Sequence, residues 1–159
     1  MTDGLPEHLK PVAADMSVPV DDTGRWIDNG HWRDTAGVTH WHLFDGREWS
    51  LADPDRFNTE RERVERVRSS AGVARSPHEV VEWLAATREQ VIAQYEVPEE
   101  LLRQKGILTA EDRRLLEATE FRMAMLGRDV FSSVPIRGGR TVYFSARAMT
   151  GRDCSAPHE

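Results

Sequence analysis

The chain has 159 residues, 39% hydrophobic and 30% charged, which suits a single domain with a modest core. It holds no run of 18 apolar residues, and its N-terminus has neither a basic start nor an apolar stretch. These features argue against a membrane-spanning helix and a secretory signal, and for a soluble cytoplasmic protein. The single cysteine, Cys154, excludes a disulfide framework and a cysteine zinc site.

The net charge of −6 is unevenly distributed. Residues 1–54 hold ten acids and four bases, whereas residues 55–159 hold seventeen of each. The acidic excess therefore belongs to the first third. The neutral remainder is not barred from phosphate by its net charge.

Residues 1–23 contain Pro6, Pro11 and Pro19 and show no sustained periodicity. They are expected to form a flexible polar leader before a single domain over 24–149. Four of the five tryptophans follow at once: Trp26, Trp32, Trp41 and Trp49. Asn29-Gly30 and Asp45-Gly46 are favoured two-residue hairpin turns, because such turns need positive φ at both central positions. The segment reads as an antiparallel meander with strands near 25–28, 31–34, 38–44 and 47–51. A turn at Asp45-Gly46 would pair Phe44 with Arg47 and His42 with Trp49. His40, His42, Phe44, Arg47, Trp49 and Leu51 would share one face. Thr39, Trp41, Leu43, Glu48 and Ser50 would share the other.

After Asp53-Pro54 the pattern turns helical. A charged helix is expected over 59–69, laced by close Glu/Arg pairs. Ser76-Pro77-His78-Glu79 is a strong helix start, with Ser76 as cap, Pro77 at the first position and Glu79 closing a capping box. Val80, Leu84, Val91 and Tyr95 supply a buried stripe for a helix over 77–95. A short helix follows over 98–104 and ends at Gly106. Thr109 caps a third, over 110–128, with Leu115, Leu116, Phe121, Met123 and Leu126 as its apolar residues. Gly138-Gly139 signals a hairpin whose second strand covers Thr141–Ala146. A polar tail, 150–159, closes the chain. The predicted class is α+β: a small tryptophan-rich antiparallel meander packed on three to four helices, with a C-terminal β-hairpin.

Three groups of residues carry candidate chemistry. The first is the tryptophan surface. Residues 32–50, with Trp32, Trp41, Asp45-Gly46 and Trp49, resemble a short tryptophan/Asp-Gly/tryptophan module found in many bacterial proteins. Four tryptophans exceed what so small a sheet can bury alone, so some are free to meet a partner. Trp26, Trp32, Trp41 and Trp49 would anchor a protein partner, and Asp45 and Glu48 would steer a basic one. The chain would then be a small interaction or regulatory accessory protein with no cofactor.

The second group resembles a helix-turn-helix. Residues 87–95, the turn Glu96-Val97-Pro98 and the helix to Lys105 follow the order of such DNA-binding motifs, with Arg88, Arg103 and Lys105 as the bases. Glu99 and Glu100 at the start of the reading helix face phosphate badly, so nucleic acid is disfavoured as a partner. The third group is His40-x-His42. Alternate strand residues point the same way, so the two imidazoles can chelate one divalent metal, with His31 or Asp28 as a further ligand. That pattern would suit a metal-dependent or small-molecule enzyme. Cys154 has no base near it in sequence, so a nucleophilic role is not expected of it.

Overall fold

The computed structural model describes residues 18–49, 71–151 and 154, and of residues 45–49 the backbone alone. In chain order the described elements are α1 (His31–Asp34), β1 (Val38–Trp49), β2 (Gly72–Ala74), α2 (Pro77–Gln94), α3 (Glu99–Lys105), α4 (Ala110–Met125), β3 (Val130–Ile136) and β4 (Arg140–Thr150). The strands form one antiparallel sheet in the order β2-β1-β4-β3. The α+β class and the C-terminal hairpin are as expected. The expected helix over 59–69 and most of the leader lie outside the described residues.

The meander takes a different form. Asn29-Gly30 does not turn a hairpin: Gly30 caps α1 at φ 76°, and residues 31–34 are helical rather than extended. Asp28 Oδ1 accepts from the Gly30 N–H at 2.8 Å, and both its oxygens accept from the Trp32 indole N–H. A local side-chain hydrogen bond thus competes successfully with strand pairing. Of the predicted strand near 25–28, a single bridge between Val20 and Trp26 forms.

Asp45-Gly46 does not reverse the chain either. β1 runs straight through it, paired with β4 from Val38↔Thr150 to Trp49↔Thr141. Between Phe44↔Ser145 and Arg47↔Tyr143, β1 uses three residues where β4 uses two. The dipeptide that would turn a hairpin is accommodated as a bulge because β4 offers a longer ladder than the local hairpin could. The expected Phe44–Arg47 and His42–Trp49 pairings are therefore replaced by partners on β4.

A second irregularity sets the two faces of the sheet. Val38 pairs with Thr150 and His40 with Met149, so Thr39 is the extra residue. Without it, Val38 and His40 would share a face. With it, Val38 joins Trp41 and Leu43 in the core cluster while His40 and His42 point away. Trp41 and Leu43 lie opposite Ala148 and Ala146, and the cluster continues through Phe144, Val142 and Val134 to Val80, Leu84 and Val91 of α2. The helices thus cover the Trp41 face.

The helix starts follow their sequence signals. Ser76 Oγ accepts from the Glu79 N–H at 3.2 Å, while the Glu79 carboxylate turns back to the Arg75 N–H rather than to the cap residue's own. At α4 the box is complete: Thr109 Oγ1 accepts from the Asp112 N–H, and Asp112 accepts from the Thr109 N–H. Leu115 differs from expectation and is 58% exposed. It lies six residues from buried Phe121, about 240° around the helix. α4 ends at Gly127, where φ is 76° and an added Cβ would stand 2.6 Å from the Ala36 Cβ. No other residue lets the end of α4 approach the start of β1 so closely.

Arg88 and Glu120 tie α2 to α4 inside the core. Arg88 Nη2 donates to both Glu120 carboxylate oxygens at 2.7 Å and to Ser132 Oγ of β3 at 3.2 Å. Both residues are almost fully buried, and Arg88 Nε has no hydrogen-bond partner. Burial raises the Glu120 carboxyl above its ordinary range, and the Arg88 charge opposes that rise. Losing one partner of such a pair strands the other charge without water. Glu120→Ala is expected to destabilise the fold by about 3–5 kcal/mol, read from urea denaturation. A loss under about 1 kcal/mol would mean that the pair is open to water.

Candidate metal centre

The face of the sheet away from the helices is also buried around two histidines. His40 and His42 stand on β1 opposite Met149 and Arg147 of β4. Their exposures are 7% and 1%. The two Nε2 atoms are 3.1 Å apart. Cys154 joins them from beyond β4, and its N–H donates to the Thr150 carbonyl at 3.3 Å. Its Sγ lies 3.5 Å from His42 Nε2. The three ligand atoms all fall within 4.8 Å of one another.

Thr39, the bulge residue, fixes the chemistry of His40. Its hydroxyl donates to the Met149 carbonyl at 3.3 Å. With its one proton so used, Thr39 Oγ1 can only accept at its 2.8 Å contact with His40 Nδ1. A Thr39 hydroxyl that donates to Met149 matches the Nδ1–H tautomer of His40, which leaves the Nε2 lone pair for the cluster. Two imidazole nitrogens this close cannot both carry protons. One of the two can donate to the other, and an ion between them would take both lone pairs. A ligand histidine whose far nitrogen donates to a fixed acceptor is the usual outer support of a metal site.

Two of the three edges between the ligand atoms suit a tetrahedral ion, and the third is under 4.8 Å. Metal–nitrogen bonds near 2.05 Å and a metal–sulfur bond near 2.3 Å give an N···N edge of about 3.3 Å and an N···S edge of about 3.5 Å. The observed edges are 3.1 and 3.5 Å.

The expected His-x-His pair is thus brought together, but its partners differ from expectation. His31 lies on α1, half-buried, and is not part of the cluster. Cys154 takes its place. One cysteine is too few for an all-cysteine site, yet it suffices for a mixed one, and the base absent from its sequence surroundings is His42. Arg147 stands opposite His42 on β4. It lies over the Phe131 ring at 4.1 Å, donates to Ser145 Oγ and pairs with Asp129 at 3.6 Å.

The other two groups of candidates are dispersed. Trp41 is fully buried, with its indole N–H donating to the Arg128 carbonyl, and Trp32 packs on it at 5.1 Å. Both are core residues and offer no surface to a partner. Trp26 is half-buried between Phe121 and the Arg114 guanidinium. The side chains of Asp45, Glu48 and Trp49 lie outside the described residues. In the helix-turn-helix segment, Arg88 is sequestered by Glu120 and cannot meet DNA. Arg103 is exposed but paired with Glu100 one turn before it. Lys105 is exposed at the end of α3. The turn holds Glu96 at φ 46°, the conformation glycine adopts most easily.

Comparison with protein-family models, curated proteins and solved structures finds no match to this chain.

Replacing Thr39 by Val should leave the fold intact and release the His40 tautomer. Nitrogen NMR of the ion-free chain should show His40 protonated at Nδ1, with that preference lost in Thr39→Val. An Nε2–H His40 in the unaltered chain would contradict the assignment.

Proposed function

We propose that this protein binds one divalent transition-metal ion through His40 Nε2, His42 Nε2 and the Cys154 thiolate. The observation that carries this reading is the pair of edges, 3.1 Å between the histidine nitrogens and 3.5 Å from His42 to the sulfur. Three supports add to it. The donors are imidazole and thiolate, which suit zinc, cobalt and copper better than the oxygen-seeking magnesium or calcium. Burial of both imidazoles removes competing water. The Thr39 contact orients one ligand before the ion arrives.

Three protein donors leave a tetrahedral ion one position for a fourth ligand. That arrangement suits a functional centre, whereas purely structural zinc sites usually close all four positions with protein. The sheet supplies two ligands from one strand, and the chain beyond β4 supplies the third. Ion binding therefore also fastens Cys154 to the sheet.

The test is titration of the full chain, purified without a histidine tag, with zinc followed by calorimetry and with cobalt followed by absorption. One ion per chain is expected, with the ultraviolet charge-transfer band of a cobalt–thiolate bond. His42→Ala should weaken zinc binding at least 100-fold, and Cys154→Ser should remove the cobalt band. Binding that survives His42→Ala unchanged, or no binding by the unaltered chain, would overturn the reading.

A further inference from the structure

We infer that the ion is copper and that Met149 supplies its axial thioether, an inference that rests on the metal reading above. Met149 is fully buried. Among the described residues it is part of neither apolar cluster of the core. Its cross-strand partner is His40. Directly opposed residues of an antiparallel pair share a face, with Cβ atoms about 4.5–5.5 Å apart. A methionine stem is long and flexible enough to cross that gap and bring its sulfur to an ion held at His40 Nε2.

The Met149 backbone is anchored in the same place. Its carbonyl accepts from Thr39, the residue that orients His40. One hydroxyl thus touches both residues. Met149 takes the fourth position that the three other donors leave, and the donor set becomes two imidazoles, one thiolate and one thioether. Two histidines and a cysteine with a weak axial methionine form the set that holds copper in electron-transfer sites. Thiolate and thioether favour Cu(I), and the imidazoles serve Cu(II), so the set accommodates both oxidation states. Zinc gains little from a thioether, which is a poor ligand for a harder ion.

The experiment adds copper(II) sulfate to the full chain without air and follows visible absorption, electron paramagnetic resonance and reduction potential. One Cu(II) per chain is expected, with an intense visible thiolate-to-copper band that Cys154→Ser abolishes. Met149→Leu should keep that band and shift the potential upward, because removing a donor destabilises the more highly charged ion. Met149→Gln serves as a second variant and should shift the potential the other way. If both variants leave potential and resonance unchanged, the axial role falls while the His40, His42 and Cys154 centre stands. Colourless copper binding, or thiol oxidation to disulfide-linked dimers in place of the band, would overturn copper while leaving zinc and cobalt binding intact. Failure of zinc, cobalt and copper alike to bind would overturn the metal reading itself.

Discussion

The pairing of β1 with β4, bulged at Thr39, is the constraint on which the rest of the structure depends. A strand of period two offers one choice of face for each residue. The extra residue resets that choice between Val38 and His40. Upstream of the bulge, Val38 can enter the core; downstream, Trp41 and Leu43 enter it while His40 and His42 leave it. The bulge residue then spends its own side chain on His40 and on Met149 across the ladder. One inserted residue therefore partitions hydrophobic burial from ligand presentation, and bulges serve such re-aiming of side chains elsewhere.

The core beneath the other face is built to hold that strand pair still. Trp41 fills its centre and fastens its indole N–H to the Arg128 carbonyl just past α4. Gly127 allows this close approach. The Arg88–Glu120–Ser132 contact links α2, α4 and β3 at one buried point. Buried polar groups are costly unless each finds a partner, so this contact tolerates few alternative packings. A rigid support matters for the proposed chelate, because displacement by about 1 Å would separate two nitrogens that stand 3.1 Å apart.

Much of the helical half was legible in the sequence. Ser76-Pro77 and Thr109 with Asp112 state their helix starts through local chemistry, and local chemistry decides the outcome there. Gly138-Gly139 likewise turns β3 into β4. The tryptophan region was misread for the opposite reason. Asp45-Gly46 is a strong local turn signal, but the partner of β1 lies about a hundred residues away in β4, and a long ladder outweighs one favourable turn. Of the tryptophans expected on a surface, Trp32 and Trp41 are core. At the site, His40-x-His42 was legible from period two alone. Cys154 was not, because its base comes from a residue 112 positions earlier. Arg88 and Glu120 were also invisible as a pair, since a hydrophobic pattern reads both as surface residues.

The central claim is that three donors from two distant parts of the chain converge on one ion. X-ray absorption at the metal edge of the zinc-loaded full chain measures that convergence directly. The structure predicts two nitrogen scatterers near ~2.05 Å and one sulfur near ~2.3 Å, with the sulfur shell lost in Cys154→Ser. A first shell of oxygen and nitrogen alone in the unaltered chain would contradict it.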